Sequence, residues 1–123
     1  MSLEPHERLS ATPAGVRLGP LSAIADRGAR NYVLKIRDAY FHGFIVRLGD
    51  EVRGYVDRCP HMGLPLAQTL DDYMVADGAL IGCSWHGALF EPTDGRCVGG
   101  PCVGASLTPW PVEVRDGILY TVA

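Results

Sequence analysis

Two short segments of the chain each combine a cysteine with a nearby histidine at metal-ligand spacing. Cys59 and His61 form a C-x-H pair, and Cys83 and His86 form a C-x-x-H pair. Two thiolates and two imidazoles can bind either zinc or an iron–sulfur cluster. Zinc fingers usually pair cysteine with cysteine and histidine with histidine, whereas each segment here mixes the two. Mixed segments favour a [2Fe-2S] cluster, because each can send one ligand to each iron, and a zinc-stabilised β module is the alternative.

The elements that must position these segments are predicted to be short strands. Apolar alternation and short apolar runs predict strands at 31–37, 41–48, 51–58, 79–82, 87–90, 110–115 and 118–122. Gly49-Asp50 and Asp116-Gly117 predict hairpins, and Asp94-Gly95 predicts a turn. No segment has a sustained helical period, and the best helical candidate, 66–73, is short. The sequence therefore predicts an all-β fold in which each Cys/His segment directly follows a strand.

The composition agrees with many tight loops around one core. The 123 residues include 15 glycines and 9 prolines, yet 47% of the residues are hydrophobic. Such a chain has enough apolar material to fold, and its length is typical of one domain. Residues 1–17 are polar and lack periodicity, so we expect a loose N-terminal lead followed by a single domain over 18–123.

Charge and hydropathy exclude several classes of protein. The formal net charge is −3 and the sequence has no basic run, which argues against a nucleic-acid partner. No apolar stretch approaches the roughly 18–20 residues that cross a bilayer, which argues against a membrane protein. The charged N-terminus does not resemble a signal peptide, so we expect a cytoplasmic protein with reduced thiols.

Three segments together resemble the Rieske family. They are YVDRCPHMGLPL at 55–66, CSWHGALF at 83–90, and Gly-Gly-Pro at 99–101. The resemblance covers about 18–122 and is greatest to small stand-alone bacterial Rieske proteins and Rieske-type ferredoxins. It implies an antiparallel β-sandwich with a small cluster-binding subdomain of two loops, at about 57–103, and one [2Fe-2S] cluster per chain.

The same resemblance implies a role for each ligand. Cys59 and Cys83 would hold one iron, and His61 and His86 would hold the other, exposed iron. Residues 99–101 match the proline loop that covers the cluster in this family. The residues expected around the cluster are Met62, Gly63, Leu64, Trp85, Gly87, Ala88, Phe90, Gly100 and Pro101.

One departure from the family pattern lies between the two ligand segments. Twenty-one residues separate His61 from Cys83, which is more than the family usually has. The extra length falls in the polar stretch 67–79, which can bulge outward. Loop closure entropy grows slowly with length, so the ligand assignment is compatible with this insertion. The insertion is either a docking feature or drift.

The functional expectation is a one-electron carrier that passes electrons from a reductase to an oxygenase or a similar terminal enzyme. The oxygenases of the family need a second iron site in a further domain, and only His6 and His42 remain for one here. The chain is thus expected to transfer electrons rather than to act as a stand-alone catalyst, with no small-molecule substrate evident. The alternatives are a small subunit of a larger reductase, such as a nitrite reductase, and a redox-responsive interaction module.

Two further cysteines, Cys97 and Cys102, lie on either side of the 99–101 segment. They could form a disulfide that braces this segment, or they could be buried thiols. Buried thiols are the default in a reducing compartment.

The residues near the second histidine predict a low reduction potential. High-potential members of the family have a disulfide between the loops and two hydroxyl donors to the cluster, but this chain has Leu64, Trp85, Ala88 and Phe90 at those positions. Fewer donors stabilise the reduced cluster less. We expect a midpoint near the low end of the Rieske range of about −150 to +300 mV, measurable by redox titration. A midpoint well above about 0 mV would contradict this expectation.

Overall fold

The computed structural model describes residues 8–9, 11–58, 60, 66, 71, 73–83 and 87–122. In this part of the chain every regular element is a strand, apart from one 3-10 turn at Leu21–Ala23. The strands are β1 Arg8–Leu9, β2 Arg17–Pro20, β3 Ala29–Ile36, β4 Ala39–Leu48, β5 Glu51–Val56, β6 Met74–Val75, β7 Leu80–Gly82, β8 Leu89–Phe90, β9 Cys97–Gly99, β10 Val112–Arg115 and β11 Ile118–Thr121.

The strands form three sheets. The first contains β3, β4 and β5, with β1 beside the start of β4; the second has the order β10-β11-β2; the third has the order β6-β7-β8-β9. All pairs are antiparallel except β1 with β4. The all-β prediction is confirmed. Within the described residues, no helix is long and apolar enough to cross a membrane.

The two predicted hairpins are confirmed, and the differences from prediction lie in the shortest elements. Leu48 pairs with Glu51 across the first turn, and Arg115 pairs with Ile118 across the second. The sequence did not predict β1, β2, β6 or β9, which have two to four residues each and are too short to show a period. The helical candidate is wrong at residues 66, 71 and 73, none of which is helical; its other residues lie outside the described part of the chain.

Strand β4 joins two hydrophobic cores because its side chains alternate between the two faces of the first sheet. Phe41 and Ile45 lie in a core with residues of the second sheet, and Trp110 packs on the Phe41 ring at 4.7 Å between centroids. Phe44 and Val46 point the other way, into a core with residues of the third sheet. The first two sheets therefore pack as a sandwich, and the third covers the opposite face of β4.

Part of the expected loose lead is attached to the end of the chain. The Trp110 indole donates a hydrogen bond to the Thr12 hydroxyl at 2.9 Å. The buried Thr121 hydroxyl donates to the Pro13 carbonyl at 2.7 Å and accepts from the Val16 N–H at 2.8 Å. The expectation of a loose lead is therefore wrong for 12–16, because these residues satisfy polar groups of the folded domain.

Gly54 provides a test of how tightly the sandwich is built. A Cβ atom at Gly54 would overlap the Trp110 backbone carbonyl oxygen and approach Val112 Cγ2 at 3.1 Å. The carbonyl cannot easily move away, since the Trp110 N–H donates to the Gly54 carbonyl at 2.8 Å. Gly54→Ala should therefore destabilise the fold by about 1–3 kcal/mol, the typical cost of overpacking, measured as the shift of the urea unfolding midpoint.

The matched control is Gly99→Ala in β9, where the nearest atom to the new Cβ is Leu89 Cδ1 at an ordinary 3.4 Å. It should change the unfolding free energy by less than about 0.5 kcal/mol, as non-disruptive substitutions do. Equal midpoints for the two variants would show that the close approach at Gly54 is relaxed at no cost.

Candidate metal centre

Of the four predicted ligands, the structure describes Cys83, which is buried directly after β7. Gly87 and Ala88 precede β8, Phe90 ends it, and Gly100 and Pro101 follow β9. The other predicted ligands and neighbours lie outside the described residues: Cys59, His61, Met62, Gly63, Leu64, Trp85 and His86. The geometry of the site is therefore given by the described residues at the ends of the loops that carry these ligands.

The second Cys/His segment is a tight loop closed by its own backbone. The Cys83 N–H donates to the Ala88 carbonyl at 2.8 Å, and the Gly87 N–H donates to the Cys83 carbonyl at 3.0 Å. These bonds continue the pairing of β7 with β8, in which Gly82 faces Leu89. The loop therefore returns to its starting point within a few residues, which confines any ligands it carries to the end of this hairpin.

The first Cys/His segment is closed by a side chain. Asp57, directly after β5, accepts a hydrogen bond from the Leu66 N–H at its Oδ1 atom, at 2.9 Å. The Asp57 backbone is itself fixed, because its N–H donates to the His42 carbonyl at 2.9 Å. Asp57 and Leu66 are both buried. One hydrogen bond, from the Leu66 N–H to Asp57, thus joins the two ends of the loop that contains Cys59 and His61.

A third segment, after β9, packs directly on the second loop. Gly100 has a φ of 84°, and a Cβ atom there would lie 2.7 Å from Ala88 Cα and 3.0 Å from the Gly87 carbonyl oxygen. The ends of this segment are held by the Cys97 N–H, which donates to the Ala105 carbonyl at 3.0 Å. The predicted covering loop therefore touches the loop that carries the second pair of candidate ligands.

All three segments leave one hydrophobic core. Leu66, Cys83, Ala88 and Cys102 belong to the same buried cluster, together with Phe44 and Phe90. The described ends of the three segments therefore share one core, and the sequence prediction that the four ligands converge stays a prediction.

The family comparison decides which group such an arrangement holds. A family model for the Rieske [2Fe-2S] domain matches residues 28–114, which is most of the chain and includes all three loops. The chain belongs to the Rieske [2Fe-2S] domain family. Its cofactor is a [2Fe-2S] cluster.

Solved structures with the same fold include Rieske-type ferredoxins. The ferredoxin of carbazole 1,9a-dioxygenase from Nocardioides aromaticivorans IC177 has a TM-score of 0.68 at 20% identity, over 89% of this chain and 98% of that one. The Sphingomonas yanoikuyae B1 ferredoxin has a TM-score of 0.65 at 21% identity, over 89% and 98% of the two chains.

A chain from a complex of reduced oxygenase and oxidized ferredoxin in carbazole 1,9a-dioxygenase has a TM-score of 0.68 at 24% identity, over 87% of this chain and 91% of that one. The comparison with curated protein sequences found no significant match.

The described residues of the Rieske domain fit a cluster between the first two loops. Cys83 places a thiol at the buried end of a closed hairpin, where a thiolate ligand would be shielded from water. Ala88 and Phe90 are fully buried in the apolar core and offer no hydroxyl to a cluster sulfur. This lack of hydroxyl donors is the feature on which the expected low reduction potential rests.

The two remaining cysteines of the Rieske domain are also part of that core. Cys97 is a free thiol, and its Sγ donates a hydrogen bond to the Gly99 carbonyl at 3.2 Å. A disulfide between Cys97 and Cys102 is therefore not formed in this structure. The covering segment is held by backbone hydrogen bonds and packing.

The stretch 67–79 differs most from its expectation. Tyr73 is buried rather than turned outward, and its ring stacks on Phe44 with 4.2 Å between centroids and 11° between planes. Its hydroxyl donates to Asp57 Oδ2 at 2.8 Å. At Tyr73 the insertion therefore turns into the core rather than outward. The signal in the sequence was an aromatic residue within an otherwise polar insertion.

Burial also fixes the protonation of the two core tyrosines. It raises the pKa of Tyr73 far above its usual value, and the nearby Asp57 carboxylate raises it further. Burial likewise raises the pKa of Tyr55 to about 12. Both hydroxyls therefore remain protonated at neutral pH and can act as hydrogen-bond donors, Tyr73 to Asp57 and Tyr55 to the Pro92 carbonyl at 2.7 Å.

The contact of Gly100 with the second loop predicts the effect of adding one methyl group. Gly100→Ala should displace the covering segment from Ala88, at a cost of about 1–3 kcal/mol for overpacking beyond the roughly 1–2 kcal/mol of a left-handed backbone. We expect faster loss of the cluster, followed as bleaching of its visible absorbance with an iron chelator present.

Gly104→Ala is the control, because Gly104 also has a positive φ, of 101°, but has nothing within 4 Å of the new Cβ. Gly104→Ala should introduce backbone strain without displacing the covering segment. If both variants lose the cluster at the same rate, contact between the covering segment and the second loop does not protect the cluster.

Proposed function

We propose that this Rieske domain is a one-electron carrier that accepts electrons from a reductase and passes them to an oxygenase or a similar terminal enzyme. In this proposal Cys59 and Cys83 bind one iron of the cluster, and His61 and His86 bind the other. The observation that most supports this proposal is that all three loops start from one hydrophobic core within a Rieske domain. The cluster-binding part spans about 57–103 of a single domain over 18–123.

The residues proposed to surround the cluster are Met62, Gly63, Leu64, Trp85, Gly87, Ala88, Phe90, Gly100 and Pro101. The core shared by Phe44 and Val46 of the first sheet with Ile81 and Phe90 of the third supports a single folded unit. The proposal places the protein in the cytoplasm, where its thiols stay reduced.

The chain's own residues would keep the cluster surroundings constant during electron transfer. When bound, the cluster takes up and gives back one electron. The Cys83 loop is closed at both ends by backbone bonds, and the first loop is closed by Asp57. Ligands held by closed loops move little when the charge changes, which favours fast exchange of electrons. The exposed histidine edge is the proposed point of exchange.

Exposed apolar side chains near the covering segment support a docking role for this end of the domain. Val98 and Val103 flank Gly100 and Pro101, and 42% and 68% of their respective surfaces are exposed. A small apolar contact of this kind suits the weak, transient complexes that electron carriers form. The ferredoxin–oxygenase complex of carbazole 1,9a-dioxygenase provides the example of such a partner.

The ligand assignment is tested by exchanging two cysteines of the same core. Cys83→Ala should abolish the Rieske-type EPR signal of the dithionite-reduced protein, because the cluster loses a thiolate. Cys97→Ala should retain the signal, since Cys97 is equally buried, with 3% exposure for each residue, but lies outside the Cys/His pairs. A signal that survives in Cys83→Ala would contradict the assignment, and a colourless wild-type protein containing zinc would contradict the cofactor.

The carrier role is tested with the reduced wild-type protein. It should deliver one electron per chain to an oxidised Rieske-type oxygenase in a stopped-flow experiment, and Cys83→Ala should deliver none. Constant co-purification with a large reductase subunit, without exchange between free partners, would instead indicate a permanent subunit.

A further inference from the structure

A buried carboxylate, that of Asp57, lies beside the first ligand loop. Asp57 is 5% exposed, and burying a carboxylate is costly unless it is hydrogen-bonded. Its Oδ1 accepts from the Leu66 N–H at 2.9 Å, and its Oδ2 accepts from the Tyr73 hydroxyl at 2.8 Å and from Asn31 Nδ2 at 3.3 Å. Asp57 thus connects the closing bond of the first ligand loop to the insertion.

Tyr73 contacts both ligand loops through different groups. Its hydroxyl donates to Asp57, at the base of the loop that carries Cys59 and His61. Its backbone carbonyl accepts a hydrogen bond from the Gly82 N–H at 2.8 Å, and Gly82 directly precedes Cys83. One residue therefore links the starting points of the two loops from which all four candidate ligands come.

Tyr73 and the insertion around it are held in place by further contacts. Its ring stacks on Phe44, and its hydroxyl accepts from Asn31 Nδ2 at 2.7 Å. Just before it in the chain, Asp71 Oδ1 accepts from the Asn31 N–H at 2.7 Å, which fixes the insertion to β3. At the far end of the insertion, a Cβ at Gly78 would lie 2.5 Å from Arg27 Cβ, so this turn also packs on the sandwich.

We propose that Tyr73 is a positioning residue that braces the two ligand loops against each other, and that the insertion between them exists to supply it. This inference rests on the ligand assignment proposed above. Positions 64 and 85, where a disulfide could tie the loops together, hold leucine and tryptophan. Tyr73 instead connects the two loops through two hydrogen bonds. Its hydroxyl donates to Asp57, and its backbone carbonyl accepts from the Gly82 N–H.

The test compares two tyrosines of the same core. Tyr73→Phe keeps the ring and the Gly82 bond but removes both the donor to Asp57 and the acceptor for Asn31 Nδ2. Tyr55→Phe is the control, because Tyr55 is also buried and donates one hydrogen bond, at 2.7 Å to the Pro92 carbonyl, which belongs to neither ligand loop. Both variants should lower the melting temperature, Tyr73→Phe more, since it loses two hydrogen bonds and Tyr55→Phe loses one.

The two variants should differ at the cluster. In Tyr73→Phe the first-order rate of cluster loss to an iron chelator should rise about tenfold, which corresponds to roughly 1.4 kcal/mol; in Tyr55→Phe it should rise less than twofold. The EPR lines of the reduced form should broaden in Tyr73→Phe alone. Hydrogen exchange of the peptide containing Leu66, measured by mass spectrometry, should also be faster in that variant alone.

A second variant keeps the proposal testable if Tyr73→Phe folds poorly. Asp57→Asn retains the side-chain volume but turns an amide donor toward either the Leu66 N–H or the Tyr73 hydroxyl. Asp57→Asn alone should also speed cluster loss, and an unchanged rate would overturn the brace. Where both single variants fold, the double variant should lose its cluster no faster than the faster single variant if Tyr73 acts through Asp57, because contacting residues are not additive. Additive rates would overturn the brace.

The outcomes also separate this inference from the proposed function. Equal rates of cluster loss in Tyr73→Phe and Tyr55→Phe, with normal wild-type EPR and electron transfer, would overturn the brace alone. Absence of a Rieske-type signal in the wild-type protein would overturn the proposed function, whatever the variants show.

Discussion

A carboxylate removed from water remains stable only if its oxygens accept hydrogen bonds, and Asp57 obtains these from three separate parts of the chain. Leu66 lies after the first ligand loop, Tyr73 lies in the insertion, and Asn31 lies in β3. The requirement to satisfy one buried charge therefore helps to hold these three segments together. Loss of any one donor would leave the Asp57 carboxylate with fewer hydrogen bonds. Disorder in one of the three segments would therefore destabilise the other two.

The sandwich provides the fixed surface for this arrangement. Strand β4 is buried on both faces, with Phe41 and Ile45 on one side and Phe44 and Val46 on the other. Phe44 carries the Tyr73 ring, and the backbone carbonyl of His42 holds the Asp57 N–H. The candidate ligand loops are therefore held in place by a strand that is buried on both faces, and their own short strands need little intrinsic stability.

The local parts of this architecture could be predicted from the sequence, and the long-range parts could not. Gly49-Asp50 and Asp116-Gly117 specify their hairpins through turn chemistry, and Cys83 was correctly placed after a strand. The bond between Tyr73 and Asp57 joins residues sixteen positions apart, and no period or motif encodes it. Strands β6 and β9 exist only because neighbouring strands pair with them. The attachment of 12–16 likewise depends on Thr121, at the other end of the chain.

That attachment has a consequence for how the domain can be joined to other proteins. The Gly15 N–H donates to the Thr121 carbonyl at 2.8 Å, so the segment just before β2 lies beside the end of β11. Both strands belong to the second sheet, which packs in a different core from the one that the ligand loops leave. A partner domain fused after β11 would therefore attach at the second sheet and leave the core beneath the ligand loops undisturbed.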